Sequence, residues 1–225
     1  MLNKWFNSEI KLFFIIFVLI YLIKTPIQAQ SQPSGKVKLV EGYGIIIRNG
    51  TEIKIQKIET MIKSADLIRT DESGKIILTL FGGDEVFIAP DTEIKFKENN
   101  NKKGLSNLIN RNLILKGRLL ARIRKDLSRP IQIRTPNAIV AVKGTEFVAE
   151  FIRDITNVGT IKGLVSMTSI VNNKSIEIKE GTMSSVNIDG EVMQPSVFSG
   201  ILMQDFEFAG YKMSDEDAAG KKIKL

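Results

Sequence analysis

Arg134-Thr-Pro-Asn-Ala-Ile-Val-Ala-Val-Lys-Gly-Thr-Glu-Phe147 is the stretch that decides how this chain is read. Pro136 fixes its own φ and holds Thr135 extended, so the run opens with a bend and not a helix. Ala138 to Val142 is a short apolar stretch with β-branched residues, the pattern of a strand buried on both faces. Lys143-Gly-Thr145 breaks it, and Gly144 permits a turn with positive φ or a close backbone approach. Glu146 to Phe151 resumes as a second strand, with apolar residues at Phe147, Ala149 and Phe151.

Working outward, the same alternation of short strands and turn residues fills most of the chain. Gly44 to Arg48, Asn49-Gly50 and Thr51 to Ile55 form the clearest hairpin, because Asn-Gly suits a type I′ turn. Strands are expected at Asp66–Thr70, Lys75–Phe81, Glu85–Ala89 and Glu93–Lys97, separated by Asp71–Gly74, Gly82-Gly83 and Pro90–Thr92. Leu113 to Leu115 and Arg118 to Arg124 follow, on either side of Gly117. Beyond the central run, strands at 158–161, 163–171 and 174–179 lead to a last hairpin around Asp189-Gly190. About fifteen short strands with no amphipathic helix make an all-β chain, either a two-sheet sandwich or a rolled, solenoid-like architecture.

Composition removes whole classes of chemistry. The 225 residues contain no cysteine and no histidine. Disulfides, thiolate metal sites and catalytic thiols are therefore excluded, and zinc sites and triads lose their usual imidazole. No cofactor is expected. The net charge is +7; without residues 1–29, which hold three Lys and one Glu, it is 29 − 24 = +5. A basic balance of this size favours anionic surfaces, although solubility alone accounts for it.

Residues 1–29 read as a secretory leader followed by a polar linker at 30–35. Lys4 and Lys11 precede an apolar core from Leu12 to Ile23, and Pro26-Ile-Gln-Ala29 ends it. Twelve apolar residues reach about 18 Å as a helix, short of the ~30 Å hydrocarbon core, so no stable membrane span is expected after its removal. A retained anchor is the minority reading.

The central run resembles the hallmark of the FecR-type domain, in which a TP segment precedes an apolar stretch and then VRGT-x-F. Thr135, Pro136, Gly144, Thr145, Glu146 and Phe147 carry the match, with Lys143 where the family has arginine. The likeness extends over roughly Gly35 to Gly190. Asp66-Leu-Ile-Arg-Thr70 is similar to the family's GD-x-I-x-T element, although Ala65 stands where glycine is usual. Glu85 to Pro90 and Thr92 to Ile94 resemble the next strand pair, and Leu113 to Leu120 resembles L-x-L-x-x-G-x-L around Gly117. The resemblance implies an all-β extracytoplasmic domain, divided here into a FecR-like region at 36–195 and a C-terminal extension and tail at 196–225. The family's namesakes are anti-sigma regulators that carry a cytoplasmic segment ahead of a transmembrane helix. Eleven residues precede the apolar core here, so that regulatory half is not expected to carry over.

Candidate chemistry is sparse. The pairs Asp71/Glu72 and Asp84/Glu85 lie in turns, where Asp supplies local hydrogen bonds, so catalysis is not expected of either. Glu146 is expected to bond backbone groups at a strand start. Lys116, Arg118, Arg122 and Arg124 recur at even spacing and would share a strand face. An anion-binding stripe is one reading, and a solvated sheet face is the favoured one. The expectation is a non-enzymatic exported protein, periplasmic or at the cell surface, that binds an envelope protein or polymer and no nucleic acid. An anchored signal-sensing component, or a carboxylate-dependent enzyme acting on carbohydrate, stands as the alternative.

Overall fold

In the computed structural model, the described residues are 33–80, 82–97, 111–125 and 131–210. The leader, the Asn99–Gly104 stretch and the tail from Tyr211 lie outside them. The first part of the chain forms β1 (Pro33–Glu41), β2 (Gly44–Arg48), β3 (Thr51–Lys54), β4 (Met61–Lys63), β5 (Leu67–Thr70), β6 (Lys75–Leu80), β7 (Glu85–Ile88) and β8 (Glu93–Phe96). The long strand β9 (Arg111–Arg122) follows. Then come β10 (Ile131–Arg134), β11 (Ala138–Val142), β12 (Glu146–Ile152), β13 (Ile155–Lys162), β14 (Leu164–Ser169), β15 (Ser175–Lys179), β16 (Thr182–Val186) and β17 (Ser196–Val197). The Asn49-Gly50 hairpin forms as expected, with φ of 51° and 79° at its two turn residues.

These strands make two layers that share β9. Sheet A runs β4-β1-β6-β7-β9-β12-β13-β16-β17, and sheet B runs β3-β2-β5-β8-β9-β10-β11-β14-β15. All pairings among these strands are antiparallel except that of β9 with β10, which run parallel. The N-terminal half of β9 pairs within sheet B through Lys116, and from Gly117 onward it pairs within sheet A. Sequence reading splits this stretch into two strands at Gly117. The structure keeps one strand and bends it there, with φ at +97°. A Cβ on Gly117 would stand 2.5 Å from Thr92 Oγ1 and 2.7 Å from the Asp91 carbonyl oxygen. Only glycine passes this corner.

The inner faces of both sheets enclose one apolar core, which includes Val37, Ile46, Ile68, Leu78, Ile94, Leu115, Val140 and Phe147. A second cluster lies on the outer face of sheet A. Ile77, Phe87, Leu120 and Val148 meet Phe198, Leu202, Met203 and Phe206 from residues 196–210. That segment carries two single-turn 3₁₀ helices, Gly200–Met203 and Glu207–Ala209. The Phe198 ring fills the space above Gly159, where a Cβ would come within 1.7 Å of it.

This second cluster corrects one expectation. β11 is buried on alternate residues only, with Ile139 and Ala141 half-exposed, because no described element packs on the outer face of sheet B beneath them. β12 is the strand buried on both faces: Phe147 and Ala149 enter the inner core while Val148 enters the outer one. Phe206 is fully buried, so Phe206→Ala is expected to cost about 3–5 kcal/mol. The check is a denaturant titration, with limited proteolysis reporting release of the 196–210 segment.

Candidate functional site

The residues through which the central run was recognised lie at the two ends of β11, in the β10–β11 turn of sheet B and in the passage from β11 to β12 in sheet A. At the first end, Thr135 and Asn137 are buried in the turn between β10 and β11. Thr135 Oγ1 is 2.7 Å from Thr156 Oγ1 on β13 and accepts from Ala138 N at 3.0 Å. Thr156 donates in turn to Asn137 Oδ1. Asn137 Nδ2 donates to the carbonyls of Asp154 at 3.0 Å and Val186 at 2.9 Å, in the β12–β13 turn and β16. A turn of sheet B is thereby fastened to three places in sheet A. Pro136 between them is exposed and sets the bend. Asn137 was missed as a functional position by sequence reading, since a polar residue beside proline carries no mark separating a surface turn from a buried one.

At the other end, Gly144 has φ +65°, and a Cβ there would sit 3.0 Å from Lys125 Cα. Thr145 is buried; its Oγ1 donates to Leu164 O at 3.1 Å and its carbonyl accepts from Ile123 N at 2.9 Å. The Lys143–Thr145 crossing is thus packed between the end of β9 and the start of β14. Phe147 is fully buried just beyond it.

The other recognised elements occupy similar corners. Asp66 is almost wholly buried and accepts from Arg48 Nε at 2.8 Å and a second guanidinium nitrogen at 2.7 Å, and from Lys63 N at 2.8 Å. The bond to Asp66 holds the Arg48 pKa above its ordinary value, partly offset by burial. Thr70 Oγ1 donates to Ala89 O at 2.8 Å and accepts from Thr92 N at 3.0 Å. Ala65, where the family has glycine, adopts φ +70°.

Of the four cations read as a stripe, Lys116 projects from sheet B and is exposed, while Arg118 and Arg122 stand on the outer face of sheet A. Arg118 Nε donates to the buried Glu150 at 2.7 Å, and another guanidinium nitrogen lies 3.1 Å from Asp205 and 3.3 Å from Gln204 O. Asn157 Nδ2 completes Glu150 at 2.8 Å. Arg122 Nε donates to Glu146 Oε1 at 2.5 Å, NH2 donates to Ala209 O at 2.9 Å, and the guanidinium lies 4.8 Å from the Phe87 ring centroid. Glu146, expected to bond backbone, has an arginine side chain as a partner. Both arginines therefore hold the 196–210 segment on sheet A. Arg124 N donates to Asp84 Oδ1 at 2.8 Å just after the strand. A cleft of about 430 Å³ opens beside Arg118, lined also by Asp91, Phe151, Ile152 and Asp205. Among the described residues no group of three or more acidic side chains converges on a metal-sized site.

These contacts are those of a frame, and they set two expectations. Asn137→Ala leaves several buried polar groups unpaired and is expected to cost about 2–4 kcal/mol, against less than about 1 for the exposed Pro136→Ala. Ala65→Gly should instead stabilise by about 1 kcal/mol, since it relieves a positive φ. Chemical denaturation of the three variants checks both.

No curated protein matches this chain. Two crystal structures of a proposed anti-sigma factor from Parabacteroides distasonis ATCC 8503, at 2.50 and 1.65 Å resolution, are similar to it with TM-scores of 0.49 and 0.48. Each has 18% identity over 58% of this chain and 59% of the other, so the chain spans less than two thirds of their length. The family model described as FecR protein matches residues 66–166, which run from the buried Asp66 through the shared strand and the β11–β12 crossing to β14. That span of the chain is a FecR-type domain.

Proposed function

We propose that this protein is a non-enzymatic, exported module of the cell envelope that binds a partner protein or polymer. The observation that carries the reading is the asymmetry of the two outer faces. Sheet A is covered by its own C-terminal segment, whereas the central strands of sheet B present exposed or half-buried residues with no described segment packed across them. An open, regular sheet face on a rigid double layer is a surface on which a ligand docks without the protein changing shape. The FecR match points the same way, toward a regulatory or sensing domain without catalysis.

The carbohydrate-cleaving alternative gains nothing from the 430 Å³ cleft. It needs two carboxylates free to act as acid and base or nucleophile. Of the two acids lining that cleft, Asp205 is paired with Arg118.

Export and binding are tested together. The protein recovered from its source cells is expected to begin near Gln30, and the immobilised protein is expected to retain an envelope component above background. A start at Met1 in the inner membrane, or no retained protein or polymer, would contradict the proposal.

A further inference from the structure

The open face of sheet B is not electrically neutral. Lys95 on β8, Ile114 on β9 and Arg134 on β10 are direct cross-strand partners, so the two cations flank Ile114 about 10 Å apart, two strand spacings. Lys97 and Lys116 lie two residues along from Lys95 and Ile114, each roughly 7 Å away on the same face. All four cations are exposed, and none has a carboxylate partner among the described residues. Glu93 stands opposite Lys116 in register, but its carboxylate is bonded to Arg69 Nε at 2.6 Å. A shallow dimple of about 70 Å³ sits in this patch, floored by Ile114 and Ile139 and edged by Gln132.

The contrast within the molecule is informative. On sheet A the fold supplies acids for Arg118 and Arg122, whereas on sheet B four like charges are left to repel one another. Repulsion of this kind is removed when an anionic ligand arrives. The patch lies on the three central strands, so it offers no sheet edge to a partner strand. Its apolar residues, half-buried Ile114 and Ile139 with Leu67 and Ile47 farther along the same row, are separated by Lys95 and Arg134, so no continuous apolar centre forms of the kind a protein interface relies on. The row through Arg134 continues across Ile139 to Thr168 and Ser175, and the row through Gln132 continues across Ala141 to Ser166 and then to the exposed Glu177, which marks the far border of the face. Along the Arg134 row cations therefore give way to hydroxyl groups, and the neighbouring row adds the Gln132 amide and the Ser166 hydroxyl, the complement of a ligand that carries both carboxylates and hydroxyls.

We infer that the outer face of sheet B binds an extended acidic polysaccharide, with Lys95, Lys97, Lys116 and Arg134 taking its carboxylates and Gln132, Ser166 and Thr168 its hydroxyls. The inference rests on the binding-module reading and names its ligand class.

The test titrates the full chain with an oligogalacturonate, with the same oligosaccharide methyl-esterified, and with inorganic polyphosphate, at low and at 0.5 M salt in order-of-magnitude terms. The acid form is expected to bind most tightly and to be released by salt, with the ester at least about tenfold weaker. A Lys95→Glu/Arg134→Glu variant, whose side chains are exposed and hold no described partner, should lose roughly tenfold or more, while Lys162→Glu on sheet A leaves binding unchanged. Equal binding of acid and ester, tighter binding of polyphosphate, no binding of the acid form, or an unaffected double variant would each overturn the assignment. Retention of an envelope component by the double variant at the wild-type level would reject this face yet leave the binding-module proposal standing. Loss of all retention by the wild-type protein would remove both.

Discussion

One backbone corner organises this protein. Gly117 lets β9 leave sheet B and enter sheet A at a φ that L side chains rarely adopt, with Thr92 and Asp91 closed against the space a Cβ would need. Because of that corner, β9 is the fifth of nine strands in each sheet. The eight strands before it lie on one side of it in both layers, and the eight after it lie on the other. The protein is two halves hung on a shared strand, and most of the family-like residues serve the places where the chain changes layer.

The Arg134–Phe147 run shows how such a change is held. A strand crossing between layers leaves backbone groups with no ladder partner, and burying them unpaired would cost more than the packing returns. Gly144 with Thr145 meets that demand at the crossing, while Thr135, Asn137 and Thr156 fasten the preceding sheet B turn to sheet A. The Arg48–Asp66 pair and the Thr70–Thr92 bonds do the same in the first half. A motif of this kind identifies an architecture. It says nothing directly of a ligand, because its polar atoms are spent inside the fold.

Charge is where the two outer faces part. On sheet A, Arg118 and Arg122 are drawn into pairs with Glu150, Asp205 and Glu146 and hold down the C-terminal segment. On sheet B, cations from three neighbouring strands are left exposed beside hydroxyl-bearing residues. Evenly spaced basic residues in one strand say only that they share a side. Whether they bind a ligand, face solvent or tie down the chain depends on what else arrives there.

By itself the sequence determined the all-β class, the Asn49-Gly50 hairpin, the turn at Gly144 and the family of residues 66–166, since alternation, turn chemistry and motif order are local properties. It also removed thiol and imidazole chemistry, which depends on composition alone. Only the tertiary structure decided that β9 is one strand in two sheets and that β12, not β11, is buried on both faces. The burial of Asn137 and the separate fates of Lys116 and Arg118 were settled at the same level. Each of these depends on residues far apart in the chain: Thr92 against Gly117, Val186 against Asn137, Phe206 over Leu120 and Val148. Local pattern sets what a strand is, and long-range packing sets which of its faces meets water.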